Sequence, residues 1–280
     1  MRILPQALVL SSLLLFAGCN THKGNHPEST VTSPKATVQA AMQALFADYS
    51  EAGVRKYFTE DYVQHNPHVP TGRDPILDLV PALRDADFGY TTHRIIADGP
   101  LVLTHTTYHN AEFFGANKVV AFDLWRVEDG RVAEHWDSIQ PLASETKSGR
   151  GQTDGVTQVT DFEETEANKS LVRGFVQDIL IGEDRSAWDK YIRNGLYDQH
   201  NPLVADGPEA LNGALEFLQM KRIHRVVGEG NFVLTQSEAE WDGKPYVFYD
   251  LFRVEYGFIV EHWDVLQEIP GEMAHSNGML

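Results

Sequence analysis

One cysteine in 280 residues has no partner within the chain. That excludes an intrachain disulfide framework and any cysteine-rich zinc site. Positive charge is also scarce: 23 Lys and Arg stand against 40 Asp and Glu, for a net charge of −17. Nucleic-acid binders present a basic face, so no nucleic-acid partner is expected. The apolar run at the start, residues 3–16, is broken by Pro5, Gln6, Ser11 and Ser12. It falls short of the ~20 residues that a spanning helix needs. No glycine-rich phosphate loop, Gly-x-Ser-x-Gly elbow or His-Glu-x-x-His pattern occurs. Twelve histidines invite a metal hypothesis. However, His105 and His109 are four apart on a predicted strand, which separates their Cα atoms by about 13 Å. One ion needs its ligands about 2 Å away. The expectation is therefore no metal and no cofactor. What is present suits a globular protein: 42% hydrophobic and 10% aromatic residues can form a core. The length suits about two domains.

Residues 1–18 read as an export signal, with Arg2 as the positive region. Phe16-Ala17-Gly18-Cys19 resembles a bacterial lipobox, with Phe16 where Leu would match better. In that reading Cys19 becomes the first mature residue and carries lipid; an ordinary signal peptide or an uncleaved anchor is the alternative. The expected location is the cell envelope, anchored to a bacterial membrane and facing the periplasm or exterior. Residues 19–35, rich in Thr, Ser, Asn, His and Pro, read as a flexible tether.

The strongest signal is an internal repeat. Tyr62-Val63-Gln64-His65-Asn66-Pro67 recurs as Tyr197-Asp198-Gln199-His200-Asn201-Pro202. Phe122-Asp123-Leu124-Trp125-Arg126-Val127-Glu128 recurs as Tyr249-Asp250-Leu251-Phe252-Arg253-Val254-Glu255. Glu134-His135-Trp136-Asp137 recurs intact as Glu261-His262-Trp263-Asp264. Val102-Leu103-Thr104 recurs as Val233-Leu234-Thr235, so the offsets fall from 135 through 131 to 127 in unchanged order, and length differences lie between motifs, where loops belong. The chain holds two copies of one domain, at 36–143 and 166–270, with a linker at 144–165 and a tail at 271–280. A period this long means tandem domains, not a solenoid.

Each copy opens with helices, at 37–49, 54–58 and 74–84 in the first and 168–180, 186–192 and 208–220 in the second. Strands follow. Residues 90–97, 101–109, 118–128 and 131–140 alternate around turn signals, and Asp129-Gly130 marks a hairpin. The Gln-His-Asn-Pro segment suits a strand end or edge because of its proline. Helices first and antiparallel strands afterwards indicate α+β.

The Gln-His-Asn-Pro segment and the 122–137 hairpin resemble the SnoaL-like branch of the nuclear transport factor two-like superfamily, in both copies. The resemblance implies two tandem cone-shaped α+β barrels, each a curved antiparallel sheet wrapped by helices around an apolar pocket. It also implies chemistries such as cofactor-free aldol cyclisation, beside isomerases, dehydratases, epoxide hydrolases and non-catalytic binders. Fold alone does not choose among these. Family members often pair through their sheets, so the two copies are expected to form that pair within one chain.

Asp123 and Asp250 are the first catalytic candidates. A two-residue turn at Asp129-Gly130 pairs Asp123 with Trp136 and Trp125 with Glu134; Tyr256-Gly257 likewise sets Asp250 opposite Trp263. A carboxylate beside an indole is poorly solvated, which raises its pKa and makes it a better base near neutral pH. His109, with His105 on the same strand face, is the candidate acid or proton relay, since the resemblance places an acid/base histidine on this strand. The second copy has Gln236 and Glu240 there, which favours the first copy as the enzyme. His65, Asn66, His200 and Asn201 are candidate substrate-binding groups at the pocket mouth, with Trp125, Trp136 and Trp263 as apolar walls. The opposite strand parity assigns His135, Asp137 and Arg126 to a network that holds the hairpin, and Arg253, His262 and Asp264 to its counterpart. The expected partner is a small hydrophobic or carbonyl-containing ligand. The expected activity is a cofactor-free lyase, isomerase or cyclase working by acid/base chemistry. Ligand capture without chemistry, and a protein-interaction scaffold, are the alternatives.

Overall fold

A computed structural model describes residues 32–280, and the signal and lipidation motif around Cys19 lie outside the described residues. The first half opens with helix α1 (Pro34–Phe46), capped by the Ser33 hydroxyl and started by proline at its first turn. It therefore begins inside the stretch expected as tether. Helix α2 (Glu51–Tyr57) is capped by Ser50. Strand β1 (Phe58–Gln64) and helix α3 (Arg73–Asp85) follow. Strands β2 (Gly89–Asp98), β3 (Leu101–His109), β4 (Lys118–Glu128) and β5 (Arg131–Pro141) complete the sheet. Its order is β1-β5-β4-β3-β2, antiparallel except that β1 runs parallel to β5. The sheet is therefore mixed, with the Gln-His-Asn-Pro segment leaving its edge strand.

The second half repeats this plan. Helix α4 (Thr165–Phe175) runs into a π-helical turn over Val176–Ile181, and helices α5 (Trp188–Tyr191) and α6 (Pro208–Ala214) are short. Strand β6 (Asp198–Gln199) lies parallel to β10 (Phe258–Glu268). Strands β7 (Leu218–Glu229), β8 (Phe232–Trp241) and β9 (Lys244–Glu255) give the order β6-β10-β9-β8-β7. Residues 208–220 are thus not one helix. The helix stops at Ala214, and Met220 enters β7 as a buried wall residue of the cone.

Each half is a cone with its own core. In the first, Val38, Met42 and Leu45 of α1 pack with Phe58, Tyr62, Val80 and Tyr108. In the second, Val172, Phe175 and Ile179 pack with Tyr191, Met220 and Phe252. A third core lies between the sheets, where Leu103, Phe122, Leu124 and Trp136 meet Leu234, Tyr249, Leu251 and Trp263. Reciprocal bonds cross the same surface. Ile139 N donates to Gln267 Oε1 (3.0 Å) and Leu266 N to Gln140 Oε1 (3.2 Å). Ala97 N donates to Glu229 Oε2 (2.7 Å) and Gly228 N to Asp98 Oδ2 (3.2 Å).

The segment after each sheet crosses to the other cone. After β5, Lys147 N donates to Pro202 O (3.0 Å), and Gly151 O lies 2.6 Å from His200 Nδ1. After β10, Ala274 N donates to Pro67 O (2.8 Å), and Gly278 O lies 2.7 Å from His65 Nδ1. Each Gln-His-Asn-Pro segment is thus fastened by a strap from the opposite half. Among the described residues no helix is long and apolar enough to cross a membrane.

Candidate active site

The hairpin register decides which side chains enter each cone. Asp129 and Gly130 both have positive φ (49° and 73°), as a two-residue type I′ turn requires. Pairing starts as a two-residue turn dictates, with Glu128 opposite Arg131 and Val127 opposite Val132. A bulge then inserts Ala133, and beyond it Arg126 faces Glu134, Trp125 faces His135, Leu124 faces Trp136 and Asp123 faces Asp137. The second hairpin carries the same bulge at Val260, so Asp250 faces Asp264. This corrects the expected pairing of Asp123 with Trp136 and of Asp250 with Trp263. One inserted residue turns His135 and Asp137 onto the face of Asp123, inside the cone, and turns Trp136 outward.

Inside the first cone, Asp123 Oδ1 lies 3.3 Å from His135 Nε2, and Asp123 Oδ2 accepts from Tyr108 Oη (3.0 Å). Asn66 Nδ2 donates to Asp137 Oδ2 at 2.8 Å. The indole of Trp125 lies over the His135 ring at 4.0 Å between centroids. Gln64 Oε1 accepts from the backbone N–H of both His65 and Asn66 (2.9 Å each), which fixes it as the carbonyl oxygen. His135 Nδ1 lies 3.0 Å from that acceptor, so Nδ1 carries a hydrogen and Nε2 faces the carboxylate. The second cone repeats the set. Gln199 Oε1 faces His262 Nδ1 (3.0 Å), His262 Nε2 faces Asp250 Oδ1 (3.1 Å), and Asn201 Nδ2 donates to Asp264 (2.8 Å).

These groups are buried, and burial raises the Asp137 carboxyl to about 6, with the nearby Asp123 charge adding to it and His135 opposing it. Burial raises Asp264 to about 6 in the same way, with Asp250 beside it. Burial and the Asp123 carboxylate hold the Tyr108 hydroxyl well above the ordinary tyrosine range. The arrangement sets two carboxyl groups about an imidazole whose other nitrogen is committed to an amide. In each cluster, one ligand atom from each Asp and from the His lies within 4.8 Å of the others. A metal would draw on Asp123, His135 and Asp137, or on Asp250, His262 and Asp264, not on the widely spaced histidines of β3.

Several sequence candidates lie elsewhere. His105 faces outward from β3, fully buried against Arg94 (3.1 Å from its Nη1), and burial keeps its pKa well below that of ordinary histidine. His109 shares that outer face and lies 3.0 Å from Thr91 Oγ1. His65 and His200 face outward too, stacked on Trp136 and Trp263 at 4.7 Å each. Both indoles also carry a guanidinium, Arg225 over Trp136 and Arg94 over Trp263. The geometry therefore corrects the pocket placement expected for His105, His109, His65, His200, Trp136 and Trp263; His109 is half-buried on the outer face of its sheet, and the others belong to the surface between the cones. The contrast of His105 and His109 with Gln236 and Glu240 no longer separates the two pockets. Asp123, Asp250, Trp125, Asn66 and Asn201 do line them. Arg126 pairs with Glu134 (2.7 Å) outside the cone, not with His135 and Asp137.

The SnoaL-like domain family model matches residues 38–135. The match spans the first cone from α1 to β5. The second cone repeats the first in strand order, motifs and polar cluster. No curated protein sequence matches the chain significantly. Similar solved structures include IdmH from Streptomyces antibioticus, named as a candidate polyketide cyclase (22% identity, 39% of this chain and 93% of that one, TM-score 0.33). An NTF2-like protein from Cytophaga hutchinsonii gives 16% identity over 40% of this chain and 95% of that one, TM-score 0.33. An LEH-like epoxide hydrolase from M. tuberculosis gives 22% identity over 37% of this chain and 85% of that one, TM-score 0.31.

Proposed function

We propose that this SnoaL-like protein is a cofactor-free lyase, isomerase or cyclase that moves protons on a small carbonyl compound. The observation that carries this reading is the cluster at the inner end of each apolar cone: two buried Asp carboxyls around a His with its Nδ1 already committed. An Asp oxygen takes the proton from the carbon beside a carbonyl. The electron pair delocalises onto the carbonyl oxygen, and a proton held by the partly protonated second Asp is positioned to hydrogen-bond that oxygen. Returning the proton to a different carbon completes an isomerisation. Adding the carbanion to a second carbonyl of the same molecule, whose oxygen takes the proton, completes a cyclisation. A carboxyl raised to about 6, as Asp137 and Asp264 are, can carry the acid's proton toward neutral pH.

The same proposal includes a lipid anchor at Cys19, an envelope location, and pairing of the two domains within one chain. The third core and the reciprocal straps support the pairing. The test is turnover of a panel of β-diketones, enones and ketosteroids by the wild type and by Asp123→Asn/Asp250→Asn. Loss of turnover with binding retained supports acid/base catalysis. Binding without conversion in the wild type makes the protein a carrier or sensor.

A further inference from the structure

The two cones differ in the space they enclose. The second holds a cavity of about 670 Å³ that ends on Asp250, His262 and Asp264. The corresponding space in the first is about 60 Å³. A water occupies about 30 Å³ and pockets for small organic ligands run from about 300 to 1,000 Å³. Only the second is of ligand size.

Three local differences account for this. Between β3 and β4 the chain makes a turn, Glu112–Phe114. Phe113 and Phe114 lie 4.4 Å apart by centroid, and Phe113 packs on Phe88 (5.4 Å), which stacks on Tyr108 (5.2 Å). In the second half Asp242-Gly243 alone joins β8 to β9, so no aromatic plug is present there. Helix α3 spans 13 residues, whereas its counterpart α6 spans 7 and leaves that wall short. Finally, Tyr108 corresponds to Ala239 at the offset of 131 that relates these strands. The Tyr108 hydroxyl fills space and caps Asp123 Oδ2. With alanine there, Asp250 Oδ2 is buried without a hydrogen-bond partner among the described residues. Asp137 Oδ1 in the first cone is bare as well, so it is enclosed volume that separates the two cones.

We propose that the second barrel is the only one of the two that admits a ligand, and that the ligand is a largely apolar carbonyl compound. Ala239 in place of Tyr108 is one of the three differences that set this, beside the short α6 and the absent aromatic turn. The walls are Leu211, Leu215, Met220, Phe248 and Leu266. Leu203 and Phe217 at the cavity are 58% and 69% exposed, which extends the apolar surface outward. The proposal rests on the acid–base reading for what the ligand undergoes, but not for where it binds.

Prodan, a fluorescent naphthyl ketone that brightens and shifts to the blue in apolar surroundings, separates the two questions. It is titrated into the full chain and into Ala239→Phe, Leu266→Trp and Tyr108→Phe, each checked by circular dichroism for the native fold. Phenylalanine at 239 approximates the residue the first barrel carries, and Leu266→Trp fills the cavity from another strand. The expected result is one prodan per chain. Kd should weaken at least about tenfold in both cavity-filling variants and stay within about twofold in Tyr108→Phe. Two sites per chain, no site, or a site indifferent to both filling variants would overturn the proposal. If prodan binds as expected and the double Asn variant still turns substrate over, the acid–base reading falls and the binding assignment stands.

Discussion

Gln64 Oε1 sits 3.0 Å from His135 Nδ1 while it also receives the backbone hydrogens of His65 and Asn66. One amide oxygen thus fixes both the path of the Gln-His-Asn-Pro segment and the tautomer of the histidine at the cone's inner end. Gln199 holds His262 and the Asn201 N–H in the second cone. Replacing Gln199 with leucine strips two buried donors of their acceptor. The expected cost is about 1–3 kcal/mol for each donor left unsatisfied. Turnover should fall with it, while Gln199→Glu, which keeps an acceptor, retains the larger share. Urea denaturation and kcat of the two variants, measured side by side, check this.

Asp137 and Asp264 give stability a direction in pH. Each carboxyl is raised to about 6 in the folded chain. Each lies near 3.9 when unfolded, so between those values the folded state holds the proton more tightly. The contribution is fully present below about pH 4 and is lost as pH rises through 6, at about 3 kcal/mol for each group. Asp137→Asn/Asp264→Asn lacks it. Denaturation midpoints from pH 4 to 7.5 should therefore fall less steeply in the double variant than in the wild type, and parallel curves would refute this origin.

Arg94 is almost wholly buried and donates to Val156 O (2.8 Å), Thr153 O (3.3 Å) and Asp154 O (2.5 Å), with its guanidinium 4.0 Å from the Trp263 ring centroid. A planar fork with several donors serves all these partners together, which an ammonium does not. Arg94→Lys should therefore rescue little of the loss caused by Arg94→Ala, which we expect to reach about 3–5 kcal/mol. Chemical denaturation of both variants gives the comparison.

The acid–base reading uses protons where the same atoms would hold a cation. Exhaustive dialysis against a chelator should leave both turnover and thermal midpoint unchanged. A midpoint that rises with added divalent ion and stops doing so in Asp264→Asn would place a cation on the cluster instead.

The repeat, the hairpin turns and strands β3 and β4 were legible because they depend on local chemistry: Asp-Gly at a turn, alternation along a strand, motif pairs at constant offset. The residues facing the pocket were not. Ala133 and Val260 have nothing in their side chains that marks a bulge, yet each exchanges the inner and outer faces of the strand beyond it. The signal that existed was the Glu-His-Trp-Asp tetrad, intact in both copies, whose His and Asp turn out to complete the clusters. The sheet that packs against the other half was equally hidden. A strand buried on both faces by two different cores reads as polar and apolar residues mixed, and His105 on such a strand looks like pocket chemistry. Helix α6 ran short because the apolar spacing of 208–220 continues into a strand whose buried residues keep it going.

The crossed straps have a consequence for how the two halves can change. Were the same contacts made by two identical one-barrel chains, every substitution would appear twice, and exchanging a tyrosine for alanine would hollow out both cones at once. Joined in one chain, with Gly151 holding His200 and Gly278 holding His65, the halves remain bound to one another in fixed proportion while their sequences drift apart. Two halves joined in this form let one cone stay filled and steady the assembly while the other is emptied.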